Sequence, residues 1–147
     1  NVARNIRISH NVVSHTGGPA IFLASDPNNP ATGANSLVPA PRITGATTSV
    51  VTGTAIAGST VELYRASREA GDSGLPVEWL GDAVVAGDGN WSVAVSTLQD
   101  GERVAALQIR PDDDTSPLSS NSAVGGVIAP FAGIKGIDLL LAVCGLD

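Results

Sequence analysis

The chain lacks methionine and has one cysteine, Cys144, in 147 residues. A lone cysteine excludes an intrachain disulfide, so packing and hydrogen bonds must hold the fold. Cys144 keeps two readings: a small buried apolar side chain, or a bridge to another chain. Aromatics are few: Trp79, Trp91, Tyr64, Phe22 and Phe131. Positive charge is also short. Eight Lys and Arg against fourteen Asp and Glu give a formal charge of −6. That balance argues against the cationic footprint needed for nucleic acid and against attraction to an anionic membrane surface. No apolar run reaches the about 18–20 uninterrupted residues of a membrane span. A start at Asn1 with no Met is what a processed product or fragment would show. Low Lys in an acidic chain rich in Thr, Ser, Gly and Asn points to an extracellular or cell-surface setting.

Apolar residues make up 43% of the chain, enough for a core. Seventeen Gly and nine Pro punctuate it densely. In residues 1–23, Ile6 and Ile8 alternate with polar neighbours, and Ile21 and Leu23 repeat that spacing. Val12-Val13 makes a short apolar step between them. Asn5 and Asn11 punctuate, and Gly17-Gly-Pro19 makes a turn. The expectation is three short strands with tight corners. This stretch resembles one coil of the right-handed parallel β-helix repeat, Asn-x-Ile-x-x-Asn-x-Ile followed by Gly-x-Gly-Ile-x-Leu. Residues 24–40 carry Pro27, Pro30 and Pro39 with no apolar period, and read as a linker. That run resembles the segment joining a β-helix to a following sandwich in large bacterial surface proteins.

Residues 41–124 show seven short candidate strands: Pro41–Gly45, Ser49–Thr54, Thr60–Arg65, Val77–Ala86, Asn90–Ser96, Glu102–Arg110 and Pro117–Val124. Turn signals at Ala57-Gly-Ser59, Gly71–Gly74, Gly87–Asn90, Gln99–Gly101 and Pro111–Asp114 separate them. In the third strand Val61 and Leu63 face one way, Glu62 and Tyr64 the other. Gly87-Asp-Gly-Asn90 predicts a hairpin. The region resembles bacterial immunoglobulin-like domains through Val51-Thr-Gly-Thr-Ala-Ile-Ala-Gly-Ser-Thr-Val-Glu-Leu-Tyr64, Asp88-Gly-Asn-Trp-Ser-Val-Ala-Val95, Gly101 with Val104-Ala-Ala106, and Ser116–Ser122. Two departures are the long loop Ala66–Pro76 and the turn Pro111–Asp114. Residues 125–147 form a strongly apolar tail interrupted by Lys135, Asp138 and glycines. So apolar a segment should pack on its own sandwich or on another chain.

Few groups carry chemistry. His10 and His15 lack metal-ligand spacing and read as solvated corner residues. There is no Gly-x-Ser-x-Gly, and Cys144 has no nearby His in sequence, so nucleophilic catalysis lacks its parts. Glu78 and Asp82 sit on one strand, and no acid/base role follows. Asp112, Asp113 and Asp114 have two readings: a surface Ca²⁺ site, with Asp88 beside it, or a solvated turn with Asx hydrogen bonds. Trp91, alternating with Val93 and Val95, reads as core. Trp79, on a more polar strand, is the candidate platform for a sugar. Asn90-Trp-Ser92 fits a glycosylation triplet, but it also belongs to the hairpin motif.

Together these parts describe an all-β chain: a seven-stranded immunoglobulin-like sandwich with a solenoid-like N-terminal segment and an apolar tail. One solenoid coil cannot bury its own apolar face. The expectation is a non-enzymatic structural module of an extracellular or surface bacterial protein. It would join a larger parent chain or associate head to tail into fibres. The assembly residues would be Ile6, Ile8, Ile21 and Leu23 at one end, and Val127, Ile128, Phe131, Leu139 and Leu141 at the other. Two alternatives are a carbohydrate-binding or adhesin module using Trp79 and the 66–76 loop, and the remnant of a β-helix polysaccharide-degrading enzyme. The last is weakest, because no carboxylate side chain precedes Asp26.

Overall fold

Two antiparallel sheets pack face to face in the computed structural model, which describes residues 2–125. The elements are β1 (Ser25–Asp26), β2 (Asn29–Gly33), a 3-10-like turn (Ala34–Leu37), β3 (Arg42–Ala46), β4 (Val50–Thr54), β5 (Thr60–Ser67), β6 (Leu75–Val84), β7 (Asn90–Ala94), β8 (Arg103–Ile109) and β9 (Ser122–Ala123). One sheet has the order β3-β4-β7 and the other β6-β5-β8-β9; β1 and β2 form a separate hairpin. The described chain is thus all-β with almost no helix. Among the described residues no helix is long and apolar enough to cross a membrane.

Strand alternation builds the core. Val51, Trp91 and Val93 of the three-stranded sheet meet Val61, Leu63, Val104 and Ala106 of the four-stranded sheet. Trp91 is buried, as its alternation predicts. The approach is close: a Cβ on Gly53 would lie 2.1 Å from the Arg42 carbonyl and 2.4 Å from the Trp91 ring. Only glycine fits there.

The turn at Gly87–Asn90 forms as its sequence indicates, but it does not join a ladder pair. Ala86 N–H donates to Asn90 O and Gly89 N–H to Ala86 O, both at 2.9 Å, with Gly89 at φ 85°. However, β6 pairs with β5 and β7 with β4. Val85 stays with the β5 side, its N–H donating to Ser59 O at 2.8 Å and its carbonyl accepting from Gly58 N–H at 3.0 Å. Trp91 and Val93 bury against that same core from the opposite wall, so the chain crosses between sheets here.

The last strand is also shorter than its sequence suggests. Ser116 and Ser119 take the place of ladder acceptors: Gln108 N–H donates to Ser116 Oγ and Ala106 N–H to Ser119 Oγ, each at 3.0 Å. Pro117, which has no N–H, lies between them. The ladder resumes only at Ser122–Ala123. Residues 24–40 are more than a plain connection. They hold the β1–β2 hairpin and the Ala34–Leu37 turn, and Val38 is buried.

The four-stranded sheet has no wet face along its centre. In β8 every residue from Val104 to Ile109 is buried. An antiparallel sheet usually leaves one face to water. Here Tyr64, Ala66, Ala105, Leu107, Ile109 and Leu118 form a second apolar layer on the outer side, with Ala20 and Ile21 packed on it. Residues 2–23 supply that cover.

Candidate functional site

Residues 2–23 form none of the three expected strands, since no ladder hydrogen bonds are made there. The segment instead turns through left-handed corners at Asn5 (φ 56°), His10 (φ 54°) and His15 (φ 59°), five residues apart. Asn and His are among the non-glycine residues that enter this region most readily. Both histidines therefore occupy corners and are exposed, while the second corner is His10 rather than Asn11.

Polar side chains of the sandwich and its loops stitch the segment down. Asn35 is the first clasp. Its Oδ1 accepts Ile6 N–H at 3.1 Å, and its Nδ2 donates to Ile6 O at 2.8 Å and Thr115 O at 3.2 Å. Its own N–H donates to Ala3 O at 2.8 Å. The side-chain amide thus pairs with Ile6 at both main-chain groups, as a neighbouring strand would. Asn35, Ser36 and Leu37 all have left-handed φ, between 45° and 53°, a conformation that costs about 1–2 kcal/mol per residue. These contacts help to hold it.

Asp114, 1% exposed, is the second clasp. It accepts Asn5 N–H at 2.7 Å and the Ser36 hydroxyl at 2.5 Å. Thr115 Oγ1 then accepts Ile8 N–H at 2.9 Å. Further along, Val13 N–H donates to Pro76 O at 2.9 Å, and Arg68 donates to the carbonyls of Thr16 at 2.6 Å and Gly18 at 3.0 Å.

Glu62 forms the central clasp. It is 1% exposed on the outer side of β5. Its Oε2 accepts Tyr64 Oη–H at 2.5 Å and His10 N–H at 3.1 Å, while its Oε1 accepts the Ser9 hydroxyl. His10 Nδ1 lies 3.5 Å from Oε1, close enough to pair when protonated. Burial chiefly, and then the hydrogen bond to Glu62, push the Tyr64 phenol well above its ordinary value. Buried carboxylates need such donors, because an unpaired charge is costly away from water.

Between segment and sheet an open apolar trough of about 430 Å³ remains. Ile6, Ile8, Val12 and Phe22 line its segment side, and Leu107 and Leu118 its floor. Val12 is 61% exposed and Phe22 78%.

The aspartate trio does not converge on one point. Asp112 pairs with Arg110 at 3.3 Å, Asp113 with Arg7 at 3.1 Å, and Asp114 turns inward to Asn5 and Ser36. Among the described residues no group of three His, Cys, Asp or Glu side chains is placed to hold a metal ion. Asp88, on a different turn, spends its carboxylate on Asn90, whose hydrogen bonds lower its pKa. Trp79 lies beside Tyr64 in the β5–β6 pairing and is 40% exposed, with the His10 ring tilted against it at 4.7 Å. Of the predicted assembly residues, Ile8, Ile21 and Leu23 are half-buried and Ile6 is exposed. Val127, Ile128, Phe131, Leu139, Leu141 and Cys144 lie outside the described residues.

Sequence reasoning missed Asn35, Glu62, Thr115, Arg68 and Asn121. The last is buried, and its Nδ2 donates to the carbonyls of Ser67, Arg68 and Glu69, shaping the long loop before β6. The one sequence signal was Glu62 itself, a carboxylate between Val61 and Leu63 in a strongly apolar strand.

Among solved structures, the chain is similar to one described as "Biofilm associated protein - BSP domain". The identity is 21% and the TM-score 0.48, over 63% of this chain and 15% of that one. The chain therefore corresponds to a small part of that protein's length. No protein-family model matches the chain, and no curated protein does.

Proposed function

We propose that this chain is a non-enzymatic structural module of an extracellular or cell-surface bacterial protein, an immunoglobulin-like sandwich fused rigidly to a solenoid-like coil. The observation that carries this reading is the joint. Asn35, Asp114, Thr115, Glu62 and Arg68 bind residues 5–18 at successive main-chain groups. A spacer or stalk needs such a joint, because a hinge would absorb load. The buried carboxylates at the joint serve as hydrogen-bond acceptors, which gives them a structural use.

The test is limited proteolysis of the full chain together with a polysaccharide turnover assay. Cleavage within residues 2–23 should be as slow as within the sandwich, and no polymer should be degraded. Rapid cleavage there, or turnover of any polysaccharide, would overturn the reading. Head-to-tail assembly is a separate clause. Negative-stain images of fibres support it, and a chain that stays monomeric at high concentration removes it.

A second reading, a glycan-binding or adhesin module, draws on the partly exposed Trp79 ring with His10 against it. Trp fluorescence that stays constant across a glycan panel would count against it.

A further inference from the structure

The N-terminal segment and the connection after it form a loop that is closed at its base. Asn35 N–H donates to Ala3 O at 2.8 Å. The Asn35 amide pairs with both main-chain groups of Ile6, across a separation of 29 residues. Asn35 Nδ2 also reaches Thr115 O, and Asp114 and Thr115 hold Asn5 and Ile8 at the same place. Residues 9–34 lie against the sandwich, but they are off the shortest path from the N-terminal residues into it.

The two ends of the described chain sit at opposite ends of β8. Thr115 bridges to Ile109 at one end. Ala123 pairs with Arg103 at the other, where Gly125 N–H donates to Ala46 O at 2.8 Å. Tension between the ends therefore enters at Asn35, Asp114 and Thr115 and leaves along residues 116–125. While the base holds, that path bypasses the loop. The base is weaker than the sandwich behind it. It is made of bonds from single side chains, whereas β3 is held by a ladder to β4 and by Ala46 in the core. Segments with few buried apolar contacts open first, and in the loop Val12 and Phe22 are largely exposed. Opening also lets Asn35, Ser36 and Leu37 leave the left-handed region, which side chains resist. We propose that this loop is stored length, a tension-yielding element built into the joint. Below the opening load the joint is stiff, as the structural reading on which this inference rests requires. Above it, the 29 residues between Ile6 and Asn35 come under tension and release about 100 Å at about 3.3–3.6 Å each. The sandwich stays folded through that step.

The test is single-molecule force spectroscopy on the full chain, with handles at its N- and C-termini. A first step of about 100 Å should precede the larger step of sandwich unfolding. The decisive variant inserts ten Gly and Ser residues between Asn28 and Asn29, which should lengthen the first step by about 35 Å. The force of that step and the length of the second should not change. Pro27 and Asn28 are exposed at the tip of the β1–β2 hairpin, a place that accepts insertion. Asn35→Ala removes the side-chain pairing with Ile6 and should lower the force of the first step alone.

One rupture in which loop and sandwich open together would overturn the inference. So would a first step whose length ignores the insertion, since it would then arise elsewhere in the chain. An insertion that lengthens the chain before any step would also overturn it, because the loop would already carry the load. A first-step force unchanged in Asn35→Ala would remove Asn35 as the closure. The proteolysis and turnover assays run without load, so these failures are distinguishable from failure of the structural reading.

Discussion

Glu62→Gln separates docking of the N-terminal segment from stability of the sandwich. The substitution keeps shape and removes charge. Gln can keep its carbonyl toward His10 N–H and Tyr64 Oη–H, and turn its NH₂ toward Ser9, whose hydroxyl can rotate to accept. No partner need be left empty, so the loss is charge assistance alone. Hydrogen bonds to a charged group contribute about 1.5–3 kcal/mol and neutral ones about 0.5–1.5 kcal/mol, a difference of about 1 kcal/mol per bond. Two of the three donors, Ser9 and His10, belong to the segment. Tyr64 shares β5 with Glu62 and stays beside it whether or not the segment is docked. His10 N–H is shared with Tyr64 Oη, which accepts it at 2.9 Å, so docking should weaken by about 1–2 kcal/mol, roughly five- to thirty-fold in the opening equilibrium. Amide exchange at Ile8, His10 and Val13 should accelerate by that factor, while Leu63 and Val104, on the far side in the sandwich core, should not change. Unchanged exchange at His10, or equal acceleration in the core, would refute the reasoning. Ser9→Ala removes a whole hydrogen bond to the carboxylate, about 1.5–3 kcal/mol, and should weaken docking at least as much as Glu62→Gln.

Tyr64 is the only tyrosine, so an absorbance titration reads it alone. Its folded pKa lies above the unfolded value of about 10. The associated stability is thus present below about pH 10 and is lost as pH rises beyond it, because the unfolded chain releases a proton that the folded chain keeps. No phenolate signal should appear near pH 10 in the folded chain; its appearance there would contradict the burial. Trp91→Ala should cost about 3–5 kcal/mol in urea unfolding, against about 1 kcal/mol for Trp79→Ala, and equal losses would place Trp79 in the core. Asn121→Ala, which leaves the carbonyls of Ser67, Arg68 and Glu69 without their shared donor, should cost about 1–3 kcal/mol and speed tryptic cleavage at Arg68. Calcium should leave the melting temperature unchanged, since the carboxylates of Asp112, Asp113 and Asp114 are spent on separate partners. A site filled at ten times its Kd would add about 1.4 kcal/mol, and a melting shift of that size would restore the cation reading.

From Pro41 to Arg110 the strands were legible because each carries its own evidence. Val61 and Leu63 alternate with Glu62 and Tyr64, Trp91 with Val93, and turn residues stand between runs. Alternation describes a strand's two faces. It does not say which strand lies alongside. That is why Gly87–Asn90 read as a hairpin even though β6 and β7 belong to opposite sheets. The choice depends on where Trp91 finds its core, which no local pattern records. The last strand failed for a related reason: Ser116 and Ser119 satisfy β8 with hydroxyl groups, and a periodicity count treats them only as polar residues.

The joint was harder to foresee, because its residues look like surface residues. Glu62 and Tyr64 occupy the alternate positions that face water in most antiparallel pairs. Here residues 2–23 lie over them. Two details of composition nevertheless argue for a cover. In β8 the positions alternate to Val104, Ala106 and Gln108 on one side, and Ala105, Leu107 and Ile109 on the other. A strand with apolar side chains on both faces needs burial on both, and the opposing sheet can supply only one. The second cover must come from outside the two sheets, and residues 1–23 were, with the tail 125–147, one of two apolar segments without a partner in the sequence. The two deficits complement each other. A sheet with one apolar face too many and an N-terminal segment with an apolar row to bury account together for the joint, whereas neither read alone does so.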